Sequence, residues 1–243
     1  MNIKDLTNYF LFQVGYHEKA SNKELYTDKN NGNKNFNKYA DMIKNTTLLN
    51  GNKQAVEWCA VFVITCFYMV FGEDQTKKIL NLPNKSAAAG CSYFYEYLKH
   101  NINKEPSEGD IIFFGDKKPK HVGYIYKVDS NKIYTIEGNS ENQVKKHTYN
   151  KDSKKIFAWC TPLYAGNTGI IESNNSYTFK PKEENIYKVI AISGLRVRKE
   201  PNTNCKVLKV LKFGTVVKAE IFNDNWLVYN EGFISSKWVE RVK

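Results

Sequence analysis

The sequence predicts an α+β fold built on an antiparallel sheet, followed by a small all-β barrel. Three observations predict it. Within residues 1–165, helical periodicity comes first and strand alternation second, the α+β order. Residues 166–184 then turn rich in Gly, Asn, Ser, Thr, Lys and Glu, as a linker does. Residues 185–243 break into short β runs punctuated by Gly and Asn. A chain of 243 residues has room for one large domain or two smaller ones.

Taken in order, residues 3–16 read as an amphipathic helix, with Leu6, Phe10 and Val14 at helical spacing. The polar, Asn- and Lys-rich stretch 21–37 reads as a loop, and 39–43 as the start of a second helix. Residues 58–71 are almost wholly apolar. The run is too long for a strand, so a buried helix is expected, with Glu57 before it and Gly72 just past its end. Another helix is expected over 91–98. Gly109 and Asp110 precede an apolar strand at 111–114, with Asp110 serving a turn. Residues 121–128 alternate, placing Val122, Tyr124, Tyr126 and Val128 on one face. Asp129-Ser130-Asn131 is a turn signal, 133–137 the returning strand, and 157–163 closes the unit. Further β runs fall at 187–192, 207–211, 215–221, 226–229 and 232–234. In so small a unit, Tyr187, Trp226 and Phe233 are expected in the core before any ligand contact.

Composition narrows the function. Hydrophobic residues make up 42% and aromatics 14%, enough for packed cores. No run approaches the ~20 apolar residues of a membrane span, and the N-terminal segment lacks the pattern of a signal peptide. Five cysteines, an odd number, disfavour a disulfide scaffold. The net charge of +11 is uneven. Residues 185–243 carry 11 basic and 5 acidic side chains, including all three arginines (Arg196, Arg198 and Arg241). A basic surface attracts polyanions. Most of the lysines are isolated, and no arginine cluster or reading helix marks a nucleic-acid partner.

One cysteine stands where its chemistry changes. Cys59 opens the apolar helix behind Trp58. Free N–H groups and the macrodipole in a helix's first turn favour the thiolate, the nucleophilic form. Taken alone, a Cys beside an apolar run reads as core packing. A thiolate hydrolase also needs a base, and of four histidines only His121 opens a strand. A hairpin turning around 129–131 brings Glu137 and Asn139 close to His121, with odd-numbered positions on one face. A carboxylate or amide there would hold the imidazole tautomer and stabilise the imidazolium.

Four segments together resemble the CHAP domain (cysteine, histidine-dependent amidohydrolase/peptidase). They are Glu57-Trp58-Cys59-Ala60-Val61-Phe62-Val63, Gly109-Asp110-Ile111-Ile112-Phe113-Phe114, His121-Val122-Gly123-Tyr124-Ile125 and Ile136-Glu137-Gly138-Asn139. The resemblance implies a papain-like fold and peptidoglycan hydrolysis, with Cys59 as nucleophile, His121 as base, and Glu137 and Asn139 as orienting residues. The arrangement is similar to that of phage endolysins. Residues 185–243 resemble a bacterial SH3-like cell-wall-binding module through Gly194-Leu195-Arg196-Val197-Arg198, Pro201, Gly214-Thr215-Val216-Val217, Trp226-Leu227-Val228 and Gly232-Phe233-Ile234. The expected organisation is thus a catalytic domain at 1–165, a linker at 166–184 and a wall-binding domain at 185–243.

The expected partner is the bacterial cell wall, with no nucleic acid and no membrane span. The missing signal fits accumulation in the cytoplasm of the producing cell until release. No cofactor or metal is expected. The segment 45–52, which in calcium-binding members of the family is acidic, has no carboxylate here, and no zinc-ligand spacing of Cys and His is present. The bond cut is expected to be that of an N-acetylmuramoyl-L-alanine amidase, with a peptide or cross-bridge endopeptidase as the alternative and an inactive wall-binding protein as a third reading. NlpC-type peptidases carry Asp-Cys-Ser and a second His, unlike Trp58-Cys59-Ala60 and Glu137 here. Cys66, two turns beyond Cys59, reads as core packing, and Cys91, Cys160 and Cys205 as free, structural thiols. Trp58 fits either a groove wall or the core.

Overall fold

A computed structural model describes residues 3–26, 29–164, 186–223, 225–229 and 232–242. The chain forms two compact units, Met1–Gly169 and Ile170–Lys243, each described by itself below. The expected linker at 166–184 lies outside the described residues.

Among its described residues the first unit has five α-helices: α1 (Ile3–Phe12), α2 (Lys38–Met42), α3 (Cys59–Phe71), α4 (Glu73–Ile79) and α5 (Cys91–Leu98). They are followed by β1 (Ile111–Gly115), β2 (Pro119–Val128), β3 (Lys132–Ser140), β4 (Gln143–Asn150) and β5 (Ile156–Cys160). The strands make one antiparallel sheet in the order β4-β3-β2-β1-β5.

α3 is apolar on every side because it is enclosed on every side. Cys59 to Phe67 are all buried, and the helix packs against α1, α2, α4, β2 and β3. Gly72 ends it at φ 76°, where its N–H reaches the Tyr68 carbonyl, and the chain restarts at once as α4. α4 has no apolar stripe to announce it. Instead Glu73 and Asp74 occupy its first turn and Lys77 and Lys78 its last, matching the helix dipole. The first helix is shorter than its periodicity predicts. It stops at Phe12, Gly15 turns at φ 91° to hydrogen-bond the Val144 carbonyl, and Val14 is left exposed.

The sheet has two working faces. Val122, Tyr124, Ile136 and Gly138 look toward the helices, where the Tyr124 ring stacks on Phe10 at 4.0 Å and Phe10 meets Phe62 edge-on. The other face carries its own apolar cluster of Ile112, Phe114, Ile125 and Ile133. The predicted single face for Val122, Tyr124, Tyr126 and Val128 fails at its end. A bulge between Ile125 and Lys127 reverses the alternation, so Val128 packs with Ile125 on the opposite side. β4, unexpected from its lysine-rich sequence, is the sheet's edge, where charged side chains are at home.

The second unit contains β6 (Ile186–Val189), β7 (Leu195–Arg198), β8 (Val207–Leu211), β9 (Val216–Lys218), β10 (Glu220–Asn223), β11 (Trp226–Tyr229), β12 (Gly232–Ser235) and β13 (Val239–Arg241). They form two sheets, β10-β11-β12-β7-β8 and β13-β6-β9. Tyr187, Val189, Val197, Leu211, Val217, Leu227 and Ile234, drawn from both sheets, share one core. The expected closed barrel is not formed among the described residues. The chain changes sheet at buried Ala219, between β9 and β10, and the ladder does not run through that corner. Tyr187 and Phe233 are buried as expected, and Trp226 is half-buried. No helix among the described residues is long and apolar enough to cross a membrane.

Gly138 sets the fit between α3 and the sheet. A Cβ there would lie 2.6 Å from both Cβ and Cγ of Phe62. Gly138→Ala is therefore expected to push α3 off the sheet and destabilise the first unit by about 1–3 kcal/mol, as overpacking does. Thermal denaturation checks this, and an unchanged midpoint would contradict it.

Candidate active site

The site forms where the start of α3 meets the start of β2. Trp58 is the N-cap of α3 and supplies no side-chain cap. Its indole is instead fully buried, stacked on Tyr39 at 5.5 Å, with Nε1–H donating to Glu18 Oε2 at 2.8 Å. The other carboxylate oxygen of Glu18 accepts the Asn35 N–H at 2.8 Å. A buried carboxylate thus pins the residue just before Cys59. Of the two roles open to Trp58, the structure gives it burial.

The β2–β3 hairpin supplies the next two groups. Tyr124 pairs with Ile136 and Ile125 with Thr135, so Gly123 lies opposite Glu137 and His121 lies one diagonal step away on the same face. Gly123 makes this diagonal usable. A Cβ there would sit 2.6 Å from Glu137 Cγ, in the space through which the Glu137 side chain reaches His121. Glu137 Oε2 meets His121 Nε2 at 2.9 Å. Thr135 Oγ1–H donates to Glu137 Oε1 at 2.5 Å, and the Tyr149 hydroxyl lies 3.4 Å from Oε2. With Nε2 engaged by the carboxylate, Nδ1 is the ring nitrogen left for the sulfur of Cys59, which lies near enough to favour the charged imidazole. The His121 side chain is 27% exposed and that of Glu137 only 2%, so the imidazole is the part of this chain of groups that faces solvent.

A fourth group was not expected. Cys91 opens α5, and its sulfur lies 3.3 Å from that of Cys59. Ser92 Oγ–H donates to the Pro119 carbonyl at 3.2 Å, which ties the start of α5 to the start of β2. Nothing in the spacing of residues 59 and 91 announces this contact, because it joins two helix starts through the sheet.

The electrostatics follow from the geometry. The Cys91 thiol hydrogen-bonded to Cys59 does most to pull the Cys59 thiol down, from an ordinary 9.0 to about 5. Burial opposes this, while His121 and the Ala60 N–H reinforce it. Cys91 is pushed the other way, first by that same hydrogen bond and then by burial, and stays a thiol. Burial works against the charged His121, but Cys59 and Glu137 outweigh it and raise the imidazole to about 10. Glu137 is held below its usual range by His121 and Thr135, despite its burial. Between about 5 and about 10 the pair therefore rests as thiolate and imidazolium.

Cys59, His121 and Glu137 are brought together. Asn139 stands apart in conformation. It lies in the bulged end of β3 at φ 56°, half-buried, and no hydrogen bond engages its side-chain amide among the described residues. The carboxylate of Glu137, and not that amide, holds the imidazole in this structure. Thr135, Tyr149, Glu18 and Cys91 are additions to the predicted set. Thr135 was within reach of sequence reasoning, since it shares the face of Glu137 two residues earlier. Asp110 is the turn residue expected, accepting the Ser107 N–H at 2.9 Å and the Thr161 hydroxyl at 2.6 Å. No cluster of three or more His, Cys, Asp or Glu suited to a metal ion occurs among the described residues.

The ion pair has a direct chemical test. Alkylation of Cys59 by iodoacetamide, followed by peptide mapping across a pH series, is expected to reach half its plateau near pH 5. Glu137→Gln should move that midpoint upward, because the imidazolium loses its carboxylate. A wild-type midpoint near 9 would refute the ion pair.

Comparison with known proteins adds the following. Two of the solved structures similar to the chain are as follows. One is described as "The crystal structure of Ly7917" (TM-score 0.44, 13% identity, covering 97% of this chain and 92% of that one). The other is described as "The crystal structure of Ly7917 with the hydrolyzing product of MDP" (TM-score 0.42, 14% identity, covering 99% and 98%). No curated protein matches the chain. Residues 50–139 match the family model of the CHAP domain, a stretch that runs from just before α3 to the end of β3 and contains Cys59, Cys91, His121, Glu137 and Asn139.

Proposed function

We propose that the first unit is a cysteine-dependent peptidoglycan hydrolase, with Cys59 as nucleophile, His121 as general base and acid, and Glu137 as the residue that orients and charges His121. The observation that carries this reading is that His121 is hydrogen-bonded to Glu137 at 2.9 Å and stands near enough to Cys59 for each to favour the other's charged form, within the segment that matches the CHAP domain. Asn139 is retained as a second orienting residue, the role that the resemblance to the CHAP domain gives it.

In this reading the Cys59 thiolate attacks an amide carbonyl of the wall. The carbonyl oxygen takes on negative charge, and N–H groups at the start of α3 are placed to stabilise it. His121, already protonated, gives its proton to the departing amine, leaving an acyl group on the sulfur as a thioester. The neutral imidazole then takes a proton from water, which attacks the thioester and restores the thiolate. Glu137 keeps its charge throughout and holds the ring by Nε2. Thr135 fixes the second oxygen of that carboxylate and Glu18 holds the residue before the nucleophile, so both position the site without touching substrate.

The bond we favour is the amide between N-acetylmuramic acid and L-alanine, with an endopeptidase cut in the peptide or cross-bridge as the alternative. The second unit would hold the enzyme on the wall, which raises its effective concentration there. Its excess of six positive charges suits an anionic wall. The protein would then act at the cell wall after release from the producing cell, as a phage endolysin does.

Cys59→Ala and His121→Ala are expected to lower wall lysis by at least about 10³-fold, and Glu137→Gln by roughly 10²–10⁴-fold. The Cys59→Ala protein should still sediment with purified walls, and added salt should release it. Lysis by Cys59→Ala would overturn the assignment. Mass spectrometry of digested peptidoglycan separates the bonds: a newly freed L-alanine amine marks the amidase, and a new peptide terminus the endopeptidase.

A further inference from the structure

Five cysteines are present and none is in a disulfide, yet only two of them face each other. Cys59 and Cys91 are the first residues of α3 and α5, and their sulfurs are 3.3 Å apart. A disulfide needs a separation of about 2.05 Å, so the sulfurs have to close by roughly 1.3 Å. The partners of the pair are opposite in kind. One sulfur carries the charge and reacts with electrophiles, while the other keeps its proton and waits beside it. That is the layout of a peroxidatic and a resolving cysteine. The other three thiols lack it. Burial raises Cys160 to about 12 and also raises Cys205, and Cys66 is enclosed within α3.

We propose that Cys59 and Cys91 form a reversible intramolecular disulfide when the protein meets a peroxide, a modification site that switches the hydrolase off and shields its nucleophile from irreversible oxidation. The Cys59 thiolate attacks one oxygen of the peroxide, the O–O bond breaks, and hydroxide leaves, giving a sulfenic acid. The Cys91 sulfur then attacks the Cys59 sulfur. The S–O bond breaks, the Cys91 proton leaves with that oxygen, and water is released as the S–S bond forms. Two electrons pass from the two thiols to the peroxide. A dithiol such as dithiothreitol reverses the bond by exchange. Without Cys91 the sulfenic acid meets further peroxide and goes on to sulfinic acid, which a dithiol does not reduce.

The disulfide stands on the sulfur geometry, and only its effect on lysis rests on Cys59 being the nucleophile. The full-length protein is treated with hydrogen peroxide, and its peptides are mapped without reduction. The expected result is a linked pair containing Cys59 and Cys91, with Cys66, Cys160 and Cys205 still free. Lytic activity falls together with the appearance of the link and returns on adding dithiothreitol. In Cys91→Ser the same treatment is expected to build up Cys59 sulfinic acid, with activity lost and not recovered. Cys59 sulfinic acid beside a free Cys91 in the wild-type protein would overturn the proposal without recourse to any variant, as would equal recovery of the wild type and Cys91→Ser. A linked pair in a protein that still lyses walls would uphold the disulfide and overturn Cys59 as the nucleophile.

Discussion

A single electrostatic pairing organises the candidate site of the first unit: a thiolate at a helix start against an imidazolium on a strand. Each charge is costly to bury and each is stabilised by the other. The helix start offers N–H groups to the sulfur, and the sheet offers a carboxylate to the ring. Neither element can supply both. The relative placement of α3 and the β2–β3 hairpin is therefore the quantity on which the chemistry depends.

Two glycines maintain that placement from opposite faces of the sheet. Gly138 lets the Phe62 ring close onto β3, which brings α3 down to the sheet. Gly123 leaves the volume through which Glu137 reaches diagonally to His121. Here the glycines serve close approach, and neither has a positive φ. The buried Glu18 adds a third constraint by fixing Trp58 just ahead of the nucleophile. Packing, hydrogen bonding and electrostatics thus converge on one helix terminus.

The same convergence explains why a thiol beside the nucleophile matters. Cys91 is the strongest single influence holding Cys59 as a thiolate, because its S–H donates to that sulfur. A group that stabilises the reactive form of a cysteine by direct contact is also within reach of its oxidised form.

Much of this was legible in residue order. The almost wholly apolar run from Trp58 to Phe71 is too long for a strand, so it had to be an enclosed helix with Cys59 at its start. The turn at 129–131 set a hairpin register that put Glu137 near His121, and the observed pairs of Tyr124 with Ile136 and Ile125 with Thr135 have that register. Local patterning says nothing about contacts that join distant segments. Cys91 against Cys59, Glu18 against Trp58 and Tyr149 against Glu137 exist only once the helices lie on the sheet. α4 and β4 escaped because their side chains are mostly polar, and an edge strand or surface helix needs little apolar signal. A two-residue period cannot foresee a bulge, so Val128 changed face. Sequence alone singled out Cys59, His121 and Glu137 as candidates, together with the helix and the hairpin that carry them. Tertiary structure decided that the hydrogen bond to the imidazole comes from Glu137, because a carboxylate reaching diagonally past Gly123 meets the ring, while Asn139 lies in the left-handed bend at the end of the strand.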